Sequence, residues 1–276
     1  MIGYFLYYAR EPDLTILTAL SDIAGEIAAP TEQTRQRVIQ LLDYLATHPD
    51  ATIRYYASDM ILNVHSDASY LSASRARSQA SGHFFLGSIP RNGRPIFLNG
   101  AIHTLCLILK LVAASAAEAE LGALFLNAKE AKVMRLILEE MGHPQPPTPI
   151  HIDNSTTVGI VNNTIKRQKS RSMEMRYFWL LDGSNNKIFD FQYHPGLENL
   201  ADYTSKHHPR HFHQHVRPCY VHTPQSPRFL ARAAKPSECR GCVKPGSSSK
   251  DAYLRKHPLP LLPRVVPLPS PAAAAA

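Results

Sequence analysis

Four acids stand where apolar runs stop or helical patterns begin. Asp67 follows ILNVHS, Glu120 lies early in SAAEAELGAL, Asp153 follows PPTPIHI, and Asp202 sits in NLADYTSKHH. Each has an ordinary local explanation. Asp67 can open a turn with Ser66 and Ser69. Asp153 can cap a helix over NSTTVGIVNN, and Asp202 can favour a helix dipole. Yet an acid at the mouth of a buried strand is costly unless something offsets its charge. As a set the four suggest a shared task. Carboxylates at close range repel and want cations between them. Four hard oxygen donors suit two Mg²⁺ ions, with Mn²⁺ as the substitute. Ion pairs of this kind, ~3.5–4 Å apart, serve phosphodiester chemistry. Glu118 competes with Glu120 for the fourth place. Glu118 is the third helical position of a capping box opened by Ser115, so local structure already explains it. Glu120 has no such duty and is the better ligand.

The elements that must position these acids are legible as patterns. ILNVHSD, FFLGSI and AIHTLCLILKLV read as three strands joined by turns, with the polar SASRARSQASGH between the first two. A helix over SAAEAELGALFLNAKEAKVMRLILEEMG carries one apolar face of Leu121, Leu124, Phe125, Ala128 and Ala131 and ends at Gly142. PPTPIHID is a loop and a short strand. NSTTVGIVNN and SMEMRYFWLLDG are helices, NKIFDFQY is a strand, and NLADYTSKHH is a last helix. The order β-β-β-α-β-α-α-β-α predicts an α/β fold, a mixed five-stranded sheet with helices on both faces. In such a sheet the first and fourth strands can lie parallel and adjacent, which brings Asp67 and Asp153 side by side at their C-terminal ends. Before this, residues 1–57 read as mostly helical. APTEQTRQRVIQLLDYLATHPD has Val38, Leu41, Leu42 and Leu45 at helical spacing, Thr31 at its start and Pro49 as its stop.

Charge is unevenly spread. The net charge is +8, but residues 223–276 hold nine Lys or Arg against two acids, which leaves +1 for residues 1–222. Global basicity is therefore weak evidence for nucleic-acid binding by the folded part. With ten prolines, a GSSS run and a poly-Ala end, residues 223–276 are expected to be a disordered tail. No uninterrupted stretch of about 18 apolar residues marks a membrane span. The start lacks a basic region before its apolar run, so no signal peptide is expected. Four scattered cysteines suit a reducing compartment, hence an intracellular setting, either a cytoplasmic particle or the nucleus.

HSDASYLS, NGAIH, SAAEAELGAL, IHIDNSTTVGIVNNTIKR, RSMEMRYFWLLD and PGLENLADYTSKHHP run in an order that resembles the ribonuclease H domain of copia-type LTR retrotransposon polyproteins. GYFLYYAREPDLTILTALSDIAGEIAAPTEQT resembles the end of the adjoining reverse transcriptase, through its thumb or connection. The resemblance implies a ribonuclease H-like three-layer fold over residues 58–222 and a reverse transcriptase remnant over 1–57. It also implies metal-dependent cleavage of the RNA strand of RNA–DNA hybrids. Its acidic quartet carries over to Asp67 in SDAS, Glu120 in AELGAL, Asp153 in HIDNS and Asp202 in LADYTSK, with Asp67 the expected bridging acid. Some ribonucleases H use a mobile histidine before the last acid. His194, eight residues upstream of Asp202, fits that part, and a turn histidine beside Pro195 is the plainer alternative. The chain has no Tyr-x-Asp-Asp polymerase motif, and is expected to be a fragment whose partners include the rest of a polyprotein. A catalytically inactive relic that binds nucleic acid or another protein is the second reading.

Weaker signals surround these. Lys166, Arg167, Lys169 and Arg171 in IKRQKSR are candidate phosphate contacts, or else a solvated loop. His207, His208, His211, His213 and His215 lack a settled metal-ligand spacing. Cys239 and Cys242 form a lone C-x-x-C. PLPLLP near the end has the form of an extended proline-rich ligand.

Overall fold

The computed structural model describes residues 2–89, 97–164 and 171–229. Its centre is a five-stranded sheet in the order β3-β2-β1-β4-β5. The strands are β1 (Ile61–Ala73), β2 (Arg77–Gly87), β3 (Ala101–Ile108), β4 (Thr148–Ile152) and β5 (Phe189–Tyr193). β1, β2 and β3 are antiparallel neighbours, whereas β4 lies parallel to both β1 and β5. This is the ribonuclease H-like α/β fold expected from the sequence.

One face of the sheet is apolar because the strands alternate. Leu62 and Val64 of β1, Ala80 and Phe84 of β2, and Ile150 and Ile152 of β4 all point to it. It is covered by α4 (Ala116–Glu140), α5 (Ser155–Val161) and α6 (Arg171–Asn185). Leu121, Leu124, Ala128 and Ala131 supply the α4 side of the contact, with Phe125 partly buried beside them. Ser115 caps α4 by accepting from Glu118 N, and Glu118 Oε2 accepts from Ala114 N rather than from the cap residue itself. Gly142, with φ +87°, follows the helix in the left-handed region that glycine tolerates.

The other face is covered by the N-terminal helices α1 (Ile2–Arg10), α2 (Leu17–Glu26) and α3 (Glu32–Thr47), together with the segment after β5. Leu14, Ile16, Leu17, Leu20 and Leu41 share a buried cluster with Phe85, Leu98, Ala101, Leu200, Tyr203 and Val221. The helical segment 1–57 and the sheet thus have one core between them. Residues 223–229 also pair with the body, through Leu98 N donating to Arg228 O at 2.9 Å and a bridge between Phe97 and Phe229. Residues 230–276, including Cys239, Cys242 and PLPLLP, lie outside the described residues.

Two elements differ from the sequence reading. The polar stretch after Asp67 is not a connection. β1 runs on to Ala73 and β2 starts at Arg77, with Ser69 opposite Gln79 and Ala68 opposite Ala80. Small polar residues hide the strand signal here because close packing on both faces demands them. A Cβ on Gly82 would overlap Asn127 Oδ1 of α4. The last helix is also broken. α7 covers only Asp202–Ser205, and α8 (Arg210–Val216) starts afresh after Pro209. Lys206 is extended, and proline disfavours helical geometry at His208 before it.

Candidate acidic site

β4 ends beside the middle of β1, and this places two acids together. Val64, His65 and Ser66 pair in parallel with Ile150, His151 and Ile152. The next residues along the two strands lead to Asp67 and Asp153. Asn154, not Asp153, caps α5, accepting from Thr156 N and Thr157 N at 3.0 and 3.1 Å. The capping explanation for Asp153 therefore falls to its neighbour. α7 brings Asp202 over the same spot. One carboxylate oxygen each of Asp67, Asp153 and Asp202 lie within 4.8 Å of one another.

Glu120, in the first turns of α4, completes the group. Its carboxyl is buried, and that burial, with the nearby charges of Asp67 and Asp153, holds it well above the usual carboxylate range. A hydrogen bond from the Ala68 backbone and the charge of Lys206 pull the other way. Asp67, Asp153 and Asp202 thus meet in one place, with the buried Glu120 near Asp67 and Asp153. Asp67 Oδ2 and Glu120 Oε2 are buried without a hydrogen-bond partner. Orphaned carboxylate oxygens are expensive in a protein interior, and a hard divalent cation is the partner that such a donor set fits.

Two neighbours were not anticipated from sequence. Lys206 Nζ lies 2.6 Å from Asp202 Oδ1 and offsets part of the negative charge. The i,i+4 spacing within DYTSK was the available signal. Gly196 packs against Asp153, where a Cβ would stand 2.7 Å from Asp153 Oδ2.

Behind the acids the same face carries a row of histidines. His83, His65 and His151 are register partners across β2, β1 and β4. His65 Nδ1 accepts from Leu200 N at 2.9 Å, which ties β1 to the segment carrying Asp202. Burial pushes His83 and His151 down to about 3, and pushes His65 well below its ordinary value. All three are neutral at physiological pH. The period-two alternation Asn63, His65, Asp67 was the sequence signal for this face.

His194 joins the row. Its ring centroid is 4.4 Å from that of His151, its Nδ1 is 3.3 Å from Glu198 Oε2, and its backbone N donates to Ile152 O. Lys166, Arg167 and Lys169 lie outside the described residues, and of Arg171 only the backbone at the start of α6 is described. The histidine-rich segment serves several separate contacts. His207 pairs with Asp22 at 2.5 Å, His208 lies 3.3 Å from Asp202 O, and His213 is hydrogen-bonded to Tyr203 and Tyr44.

The fold and the acid cluster define the class: a ribonuclease H-like domain with carboxylates gathered where β4 ends beside the middle of β1. The chain is similar to the retrovirus-related Pol polyprotein from transposon TNT 1-94 of Nicotiana tabacum, 24% identical over 214 residues. That match covers 76% of this chain and 15% of the relative, so the chain spans a small part of the relative's length. No family model matches. Among solved structures, an LC11-RNase H1 isolated from compost is 13% identical with a TM-score of 0.39, covering 52% of this chain and 92% of that one. A foamy viral protease-reverse transcriptase in complex with RNA/DNA hybrid is 13% identical with a TM-score of 0.35, covering 56% and 21%. Among the described residues no helix is long and apolar enough to cross a membrane.

Proposed function

We propose that this chain is a divalent-ion-dependent nuclease of ribonuclease H type, which hydrolyses the RNA strand of RNA–DNA hybrids as part of a retrotransposon polyprotein of the copia type. The observation that carries the reading is the convergence of Asp67, Asp153 and Asp202 oxygens within 4.8 Å beside a buried Glu120. These four residues would hold Mg²⁺ or Mn²⁺. Bound there, the ions would supply activation of water and stabilisation of charge on the leaving 3′ oxygen.

The chain's own residues do the rest. Asp67, with an oxygen within 4.8 Å of oxygens of both Asp153 and Asp202, would be the bridging acid. Burial and the charges of Asp67 and Asp153 raise the proton affinity of Glu120, an effect that a bound cation would offset. Lys206 holds Asp202 and lowers the repulsion within the set. His194, beside the segment that packs on Asp153, is the accessory group for carrying a proton. Lys166, Arg167, Lys169 and Arg171 are the proposed phosphate contacts. Recognition of RNA rests on its 2′-OH and on the groove shape of the hybrid. An intracellular setting fits this substrate.

The test is cleavage of an end-labelled RNA–DNA hybrid by the purified full chain with Mg²⁺, with chelator and a double-stranded DNA substrate as controls. Chelator-sensitive cutting of the RNA strand alone is expected. Hybrid binding without cutting would leave the inactive binding module as the better description.

A further inference from the structure

α7 is a single turn of four residues, Asp202–Ser205, and a helix that short does not hold itself. Its geometry is imposed from outside. From the sheet, Ser81 Oγ donates to Ala201 O at 2.6 Å, Gln79 Nε2 donates to Thr204 O at 3.0 Å, and Ser69 Oγ donates to Ser205 O at 2.5 Å. The N-terminal helices hold the other side. Thr18 of α2 donates to Thr204 O at 3.1 Å, in a fully buried contact.

A longer connection runs through α3. Tyr44 accepts from Arg217 Nε at 2.8 Å, and its hydroxyl lies 3.1 Å from Thr15 Oγ1 and 3.2 Å from His213 Nε2. The other ring nitrogen of His213 is hydrogen-bonded to Tyr203, the residue next to Asp202. Buried Asp13 anchors the far end, accepting from Thr15 N and facing Arg217 Nη2 at 3.5 Å. Polar groups this deep are stabilising only when their partners stay in place. Leu14, Ile16, Leu17 and Leu20 pack against Leu200 and Tyr203 around the same contacts.

We propose that the N-terminal helices are a working part of the acidic site, with Thr18 and Tyr44 as positioning residues that fix Asp202 opposite Asp67 and Asp153. This deepens the nuclease reading and rests on it for its catalytic meaning, but the mechanical claim stands separately. The segment that resembles the end of a reverse transcriptase would then set the cation affinity of the site beside it. In a longer polyprotein, displacement of these helices would loosen one of the four acids without touching the strands that carry two others.

Amide hydrogen exchange on the metal-free full chain tests the mechanical claim. Thr18→Val combined with Tyr44→Phe should reduce protection of residues 200–205 by about tenfold, the worth of two modest hydrogen bonds. Amides of β1 and β4 should keep theirs, and restoring the hydroxyl as Thr18→Ser should recover part of the loss. Thr18→Val alone should show a smaller change of the same kind if the double variant folds poorly. Mn²⁺ titration provides the second readout. Affinity should fall about tenfold in the double variant, but the same two substitutions should change nothing further in an Asp202→Asn background. Unchanged protection of 200–205, or equal loss throughout β1 and β4, overturns the proposal. Local loosening in a chain that neither binds Mn²⁺ nor cuts hybrid would uphold the positioning and remove the nuclease reading instead.

Discussion

The two faces of the sheet solve different problems. Under α4, α5 and α6 the strands present Leu62, Val64, Phe84, Ile150 and Ile152, and the interior is mainly hydrocarbon, with Asn127 of α4 donating to Ser66 Oγ and Ser81 O. Under the N-terminal helices the same strands present Asn63, His65, Asp67, His83 and His151, all buried and polar. The first face stabilises by burial, roughly 1.5–3 kcal/mol for each fully buried large side chain. The second contributes a framework of directional bonds that ends in the acids. It carries the orphaned ring nitrogens of His83 and His151 and an orphaned oxygen of Asp67. The contrast teaches where chemistry sits in this fold. The acids of the strands stand on the face where polar groups are buried beside a second apolar cluster, not on the face of unbroken apolar strand residues.

The largest expected effect breaks the polar face alone. Asp67→Asn keeps shape but removes the central negative charge, and Glu120→Gln does the same from α4. Either should lower Mg²⁺-dependent hybrid cleavage by at least about 10³-fold, the order expected when several kcal/mol of charge stabilisation are lost. The metal-free melting temperature should hold or rise because repulsion among the acids falls. A cleavage rate within a few-fold of wild type for Asp67→Asn would take it out of the site. The converse experiment is Leu124→Ala, on the apolar face. Leu124 is fully buried between α4 and the sheet. Its truncation should cost about 2–5 kcal/mol in denaturant unfolding, with cleavage by the remaining folded protein retained.

Legibility followed the same division. The apolar face was readable because hydrocarbon burial imposes a period. Leu121, Leu124, Ala128 and Ala131 recur on one side of a helix, and Thr148–Ile152 is a short run of the length a buried strand needs. The four acids stood out because each lies where an apolar run stops or a helical pattern begins. What escaped was imposed by partners distant in sequence. Ser78, Ala80 and Ser81 read as linker because nothing local says that α4 and α7 leave room only for small side chains. α7 read as a longer helix because its pattern continues beyond Lys206, while Pro209 forces the break. Thr18 and Tyr44 gave no signal, since their partners lie 186 and 169 residues away.

A smaller effect sharpens the comparison through pH. His83 has no hydrogen-bond partner on either ring nitrogen, and burial pushes its pKa from 6.5 to about 3. The unfolded chain takes up that proton first, so its contribution is complete above the ordinary value of 6.5 and is lost as pH falls towards 3. Glu120 has the opposite sign. Its raised pKa makes the folded chain hold a proton that the unfolded chain releases, so stability is lost as pH rises from the ordinary 4.5. In metal-free melts, His83→Leu should gain about 1–2 kcal/mol at neutral pH and flatten the acid-side loss. Glu120→Gln should gain relative to wild type increasingly as pH rises. Parallel pH profiles for both variants and wild type would mean that neither group is held as the geometry indicates.

The smallest effect separates two neighbouring glutamates, of which the sequence favours Glu120 as the ligand. Glu118 and Glu120 are two residues apart on α4, so their side chains leave the helix about 200° apart. Glu118 is half-buried at the cap, where its Oε2 accepts from Ala114 N at 2.9 Å and its own N donates to Ser115 Oγ at 3.2 Å. Glu120 is buried among the acids. Glu118→Gln keeps an acceptor for Ala114 N and gives up only a favourable charge at a helix start. It should cost less than about 1 kcal/mol, and hybrid cleavage and Mn²⁺ affinity should stay at wild-type levels. Raising the salt concentration should reduce that cost, because a charge in contact with solvent is screened more than a buried one. A Glu118→Gln variant that melts normally yet binds Mn²⁺ poorly would move the fourth ligand to the cap of α4. Glu120 would then be left as a buried acid with one carboxyl oxygen lacking a partner, an arrangement that is costly in a protein interior.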